Sequence, residues 1–255
     1  MVPIRPNPLF EELVKLQARP DGKSVMRQSW QQLLFAHARC DADVLATHLP
    51  PGLELQTFDG DAWVGFVPFA MREIRLNGVP WPSFFETNLR TYVNHPKHGP
   101  GVWFFSLDAN AFQACLGART GFKLPYCYAG LDINGDGESV GYYGTRADRQ
   151  RLPGVFERPC REFRCTAEIS CSGSPAPAEP ESFDFWLLER YRLYAAGRNG
   201  RLLTARVWHE PYQVVEPEVR TLSVELNDPR LAGLEYAHFR YCRGVKVECF
   251  KPEWV

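Results

Sequence analysis

Phe85-Glu86-Thr87-Asn88-Leu89-Arg90-Thr91-Tyr92-Val93 is the stretch on which the fold of this chain turns. Side chains alternate across a strand, so Glu86, Asn88, Arg90 and Tyr92 share one face while Phe85, Thr87, Leu89, Thr91 and Val93 share the other. Alternation alone also fits an antiparallel sheet with one face in water. The flanking strands point elsewhere. Ala62-Trp63-Val64-Gly65-Phe66-Val67-Pro68-Phe69 is apolar on both faces, as is Val102-Trp103-Phe104-Phe105, so the sheet is expected to be covered on both sides. An unpaired ion inside a covered sheet is too costly to persist, and an enclosed pocket with water or ligand supplies the partners. Glu86, Asn88 and Arg90 are therefore the first candidate pocket residues.

Working outward, Asn7-Pro8 followed by Glu11 and Glu12 predicts a helix that Pro20 stops, lying at the periphery. A strand should start in Gln28–His37, and a short helix capped by Asp41 should run to His48 before Pro50-Pro51-Gly52. Leu53–Phe58 and Ala62–Met71 are read as a hairpin about Asp59-Gly60. Strands follow at 84–93 and 101–107, a helix at 111–117, and strands at 124–129, 141–146 and 160–171. A surface loop at 172–181, a helix from Ser182 to Glu189 and a hairpin at Asn199-Gly200 complete the pattern. The class is α+β, mainly β: strands around a pocket, with a few peripheral helices. Residues 1–26 are read as an N-terminal extension with a short helix and 27–255 as one domain.

The bulk composition narrows the partners. The 255 residues are 45% hydrophobic and 23% charged with a formal net charge of -1, which is ordinary globular composition without the basic field that phosphate backbones attract. No nucleic acid is expected. No run of eighteen apolar residues and no apolar leader occur, so the expectation is a cytoplasmic protein with no membrane partner. The eight cysteines form no Cys-x-x-Cys pair and mostly sit among apolar residues, which reads as buried free thiols rather than a zinc site or a disulfide framework. Asp132-Ile133-Asn134-Gly135-Asp136-Gly137 opens like a calcium loop but has Tyr143 where the twelfth-position Glu is required, so a hairpin turn is expected. His95 and His98 sit in a Gly/Pro turn. Neither a metal nor any other cofactor is implied, and no phosphate loop, dinucleotide fingerprint or nucleophile elbow occurs.

Several longer segments carry a resemblance. Leu34-Phe35-Ala36-His37, Leu49-Pro50-Pro51-Gly52-Leu53, Phe58-Asp59-Gly60-Asp61-Ala62-Trp63-Val64-Gly65, the 85–93 strand, Gly101–Ala109 and Leu124-Pro125-Tyr126 resemble the uncharacterised YqjF-like bacterial family. Glu189-Arg190-Tyr191-Arg192-Leu193-Tyr194 and Val207-Trp208-His209-Glu210-Pro211 continue the likeness, which spans about residues 27 to 220. The resemblance implies an acetoacetate decarboxylase-like fold, an antiparallel β-barrel or cone around a central cavity, with no established activity. That relative forms a Schiff base on a lysine whose pKa a dry pocket and a neighbouring cation depress, an example the physical chemistry of nucleophilic lysines often uses. In its pattern Gly-Arg-Glu precedes Pro-Lys-Lys. Here Ala118-Arg119-Thr120 precedes Pro125-Tyr126-Cys127 at the same spacing: Arg119 and Pro125 match, and both lysines are gone. Lys123 is the lysine near the segment that a small register shift could aim inward.

Arg90 and Arg119 are candidates to hold a carboxylate bidentately, His37 or Glu86 to act as base, and Tyr126 or Tyr143 to donate a hydrogen bond. The ligand-binding set is thus His37, Glu86, Asn88, Arg90, Arg119, Tyr126 and Tyr143, with catalysis falling to Glu86, Arg119, Tyr126 or Lys123 if there is any. The expected partner is a small molecule, a carboxylic acid in the first instance. An internal ion-pair network that fixes strand register explains the same residues, as does a non-catalytic interaction protein or a Schiff-base lyase using Lys123. The decarboxylase resemblance allows a homo-oligomer, with the amphipathic Leu9–Leu16 stretch packing on a neighbour.

Overall fold

The structure is a computed structural model that describes residues 8–147, 160–197, 199–228 and 231–255. Its first elements are α1 Pro8–Gln17, β1 Met26–Cys40, α2 Ala42–Ala46, β2 Glu54–Leu55, β3 Ala62–Leu76, β4 Val79–Pro80, β5 Phe84–His95 and β6 Gly99–Ala109. Then come α3 Phe112–Gly121, β7 Tyr126–Tyr128, β8 Gly130–Gly135, β9 Ser139–Arg146, β10 Phe163–Ser170, β11 Ala176–Pro177 and α4 Phe183–Leu188. β12 Arg192–Ala196, β13 Leu202–His209, β14 Gln213–Val215, β15 Glu218–Leu226, β16 Tyr236–Cys249 and β17 Glu253–Trp254 complete the described chain.

Pairing runs β16-β1-β3-β5-β6-β12-β13, and β13 returns to β16 by setting Val207 opposite Cys249 and His209 opposite Val247. The strands therefore form a closed ring. Neighbours are antiparallel except at one seam, where β12 runs parallel to β6 with Leu193 opposite Val102. Residues 110–191 intervene between the two strands, long enough for a crossover.

A second sheet, β15-β10-β9-β8, covers part of the outside. Ala36, Val64, Phe66 and Leu89 from the ring pack there against Leu131, Phe163 and Cys165, while Val67, Phe69 and Met71 belong to the larger interior cluster. That division explains why β3 is apolar on both faces. It also fixes the direction of β5, whose outer residues meet the second sheet and whose Glu86, Asn88 and Arg90 turn inward. Asp108 of β6 and Arg146 of β9 pair across the two sheets with side chains only 2% and 5% exposed.

Three expectations need correction. β2 pairs with β5, Leu55 opposite Val93, and does not form a hairpin with β3, because both edges of β3 are taken by β1 and β5. The Asp59-Gly60 turn survives as a local bridge between Phe58 and Asp61. Helix α1 is not peripheral: Phe10 and Leu13 are buried in the interior cluster, the Trp208 indole donates to the Gln17 carbonyl at 2.9 Å, and Arg206 donates to Leu16 at 2.6 Å. Its apolar stripe is used within the chain. The cap expected at Asn7 lies outside the described residues. Finally, Cys127 and Cys160 are joined in a disulfide, so these two are not free thiols; the other six are.

Helix α4 closes one end of the interior. Phe185, Trp186, Leu187 and Leu188 are all buried, and the helix starts where the Ser182 hydroxyl accepts from the Phe185 N–H. Ser182→Ala removes that cap and should cost about 1 kcal/mol. A melting temperature lower by about 2–4 °C, with the native circular dichroism unchanged, is the expected measurement; an unchanged melting point would show the cap to be dispensable. Among the described residues no helix is long and apolar enough to cross a membrane, and no cluster of His, Cys, Asp and Glu is arranged to hold a metal.

Candidate binding site

Inside the ring lies a cavity of about 340 Å³. β5 supplies its polar strip. Glu86 stands opposite Phe69 of β3, Asn88 opposite Val67 and Arg90 opposite Gly65, so the three follow one another along the wall. All three are buried, between 3% and 7% exposed. Gly65 packs closely on its neighbours: a Cβ there would come within 3.2 Å of the His37 ring and 3.4 Å of the Arg90 stem.

At one end of the strip, Tyr126 of β7 donates its hydroxyl to Glu86 Oε2 at 2.6 Å. Burial pushes the Glu86 carboxyl up to about 8, Tyr126 pulls the other way, and the Asp108 carboxylate adds to the rise. Near neutral pH the group therefore carries its proton and can donate a hydrogen bond, unlike an ordinary glutamate. Burial also holds the Tyr126 phenol well above its usual value, so it stays a donor.

Cations occupy the other end. Arg90 donates to the Leu187 carbonyl at a long 3.4 Å, and its Nε has no partner. Arg190, in the turn between α4 and β12, donates to the Trp186 carbonyl at 2.7 Å and to Gln56 at 2.6 Å, while Nη2 has none. Its guanidinium lies 4.7 Å from the ring centroids of both Tyr92 and Trp186. Burial, with the Arg90 charge beside it, lowers Arg190 to about 9. The adjacent Glu189 does not neutralise it; that carboxylate is taken up by the Tyr191 hydroxyl and the Tyr212 N–H. Among the described residues no carboxylate pairs with Arg90 or Arg190.

The other candidates are placed elsewhere. His37 is wholly buried behind the wall with Nε2 2.7 Å from the Tyr92 hydroxyl, and burial beside Arg90 holds it neutral. It touches the site through Tyr92 and does not line the cavity. Arg119 turns away from the cavity and donates to the Tyr126 carbonyl, with Nη2 3.5 Å from the Cys160 sulfur, because it lies on the α3 face opposite Ala114, Gly117, Ala118 and Gly121. Tyr143 sits on the second sheet, exposed, and bonds Glu168 at 3.0 Å. Lys123 is exposed too: it adopts a positive φ of 58° after α3 and folds Nζ onto the Thr120 carbonyl at 2.6 Å, so its amine points away from the cavity. Sequence reasoning missed Arg190 as a site residue, along with Tyr212, Gln28 and the aromatic wall of Phe35, Phe84 and Phe104.

The ring and its central cavity define an acetoacetate decarboxylase-like fold. The acetoacetate decarboxylase of Legionella pneumophila superposes with a TM-score of 0.61 at 13% identity, covering 93% of this chain and 91% of that one. The enduracididine biosynthesis enzyme MppR complexed with pyruvate gives 0.60 at 15% identity over 93% and 92%. At such identities the likeness is one of fold. Within that fold, the chain belongs to the DUF2071 family of uncharacterized conserved proteins, whose family model matches residues 27–246. The uncharacterized protein YqjF of Bacillus subtilis (strain 168) is 39% identical over 211 residues, 80% of this chain and 82% of that protein.

Proposed function

We propose that the cavity binds a small organic acid, its carboxylate held between Arg90 and Arg190 and its body lying along Asn88 toward Glu86 and Tyr126. One observation carries this reading: two buried guanidiniums share a cavity wall and neither meets a carboxylate among the described residues. Uncompensated buried charge costs several kcal/mol, and an anionic ligand is the economical way to offset it. Arginine's planar fork suits a carboxylate in particular. The MppR complex with pyruvate supports the reading by placing an organic acid in a protein of this fold.

The chemistry such a site could run is proton transfer. Glu86 holds a proton near neutral pH, and Tyr126 fixes its orientation, so the pair can give a proton to, or take one from, an atom beyond the carboxylate. A lysine imine is not available to it. All six lysines are exposed, and none lines the cavity.

The test is thermal-shift titration with simple carboxylates, comparing the wild type with Arg90→Met. The acids should raise the melting temperature of the wild type, and the variant should bind at least tenfold more weakly, the equivalent of losing a charge-assisted hydrogen bond worth about 1.5–3 kcal/mol. The ligand-free variant should be no less stable than the wild type, because it also removes an unpaired buried charge. Equal shifts in both proteins would remove Arg90 from the site.

A further inference from the structure

The cavity is apolar over most of its wall. Glu86, Asn88, Arg90, Tyr126 and Arg190 form one polar strip and its inner end, Gln28, Arg192 and Tyr212 also line the cavity, and Phe35, Phe69, Met71, Phe84, Phe104 and Leu107 make up much of the remaining wall. Order along β5 gives the cavity a direction. From Arg90, opposite Gly65, the strip passes Asn88 and Glu86 to Phe84, which lies opposite Met71. Near that end the lining reaches Ile74, Leu76 and Trp81, and α3 contributes Gln113, Gly117 and Gly121; Trp81, Gln113, Gly117 and Gly121 are exposed. The mouth is therefore on the Phe84 side, and among its described lining residues none is charged.

We propose that the acid bound here is a hydrophobic monocarboxylate, seated head first, with its apolar tail running past Glu86 to the mouth between Trp81 and α3. The proposal rests on the carboxylate reading above and narrows it. A second carboxylate on the ligand would face an apolar mouth with no cation to meet it, and desolvating it there would be unfavourable. An apolar chain instead displaces water from the aromatic wall. At roughly 30 Å³ for each water-sized group, a cavity of about 340 Å³ takes a ligand of about ten non-hydrogen atoms. A straight-chain acid of about eight carbons has that size.

Trp30 and Trp81 line the cavity, so tryptophan fluorescence can follow binding directly. Titration of the full chain with butanoate, hexanoate and octanoate should show affinity rising about fourfold per added methylene, then failing to rise for longer acids. Gly117 gives a second handle: a Cβ there meets nothing within 4 Å, and its place in α3 tolerates a side chain. Gly117→Leu should weaken octanoate at least tenfold more than it weakens butanoate. Affinity independent of chain length, or hexanedioate binding as tightly as hexanoate, would overturn this proposal while leaving the carboxylate site standing, provided that Arg90→Met still weakens binding at least tenfold. If no acid binds, or if octanol binds as well as octanoate and ignores Arg90→Met, the carboxylate reading itself falls and this inference with it.

Discussion

Replacing Asp108 by Asn should destabilise the protein by about 3–5 kcal/mol, the usual cost of breaking a buried ion pair from one side. Arg146 would keep its charge in a side chain 5% exposed, and among the described residues a neutral amide oxygen, the Arg161 carbonyl at 2.6 Å and the face of Phe163 would be left to it, with no carboxylate. Burial favours the neutral form of Asp108, and Arg146 opposes that shift. The pair joins β6 of the ring to β9 of the covering sheet, and its loss should loosen their contact before the ring opens. Chemical denaturation of Asp108→Asn, Arg146→Met and the double variant Asp108→Leu/Arg146→Met checks this. The double variant should recover most of the loss, because neither charge is then left alone. A double variant as unstable as Asp108→Asn would mean that the pair's hydrogen bonds, not its charges, hold the sheets.

Glu86→Gln should make the protein more stable as the pH rises, an inverse of the usual outcome for losing a buried hydrogen-bonding acid. The carboxyl titrates near 4.5 when free and near 8 in the fold. Between those values the folded chain keeps a proton that the unfolded chain has released, so each added pH unit removes about 1.4 kcal/mol of stability. The loss begins above about 4.5 and ends above about 8. Glutamine cannot titrate yet still offers Tyr126 an acceptor oxygen. The stability gap between Glu86→Gln and the wild type should therefore widen from pH 5 to pH 8 to a few kcal/mol and then level off. Urea denaturation across that range measures it. The comparison cancels the buried His37 and His209, whose lowered pKa values act with the opposite sign at acid pH. A gap that does not change with pH would show that Glu86 is ionised in the fold.

What the sequence revealed and what it hid follow from the range of the forces involved. Strand alternation is local, so the 85–93 segment disclosed Glu86, Asn88 and Arg90 as one face, and the two-faced apolar β3 disclosed that the face was covered. Tyr126 was legible from the family pattern, where it stands in place of a lysine. Arg190 was not. It follows a six-residue helix and precedes a five-residue strand, in a turn with no periodicity to assign its side chain a direction, and only packing on Tyr92 and Trp186 brings it to Arg90. Tyr143 and Lys123 went astray for related reasons: parity along a strand says nothing about which sheet the strand joins, and Lys123 leaves α3 at a positive φ that reverses the expected direction.

The ring closes between strands that lie far apart along the chain. β1 pairs with β16 along almost its whole length, Met26 opposite Cys249, and β16 also meets β13 to complete the circle. Hairpins such as β5–β6 can form as soon as they emerge, whereas the partner of β1 arrives more than two hundred residues later. Until then β1 presents an open edge of backbone donors and acceptors, and contacts so distant in sequence form slowly. Cys249 lines the cavity, so the pocket has no complete wall before the last long strand docks. A nascent or truncated chain can hold most of the β structure and still have no binding site: in this molecule ligand recognition belongs to the finished circle, and no single hairpin possesses it.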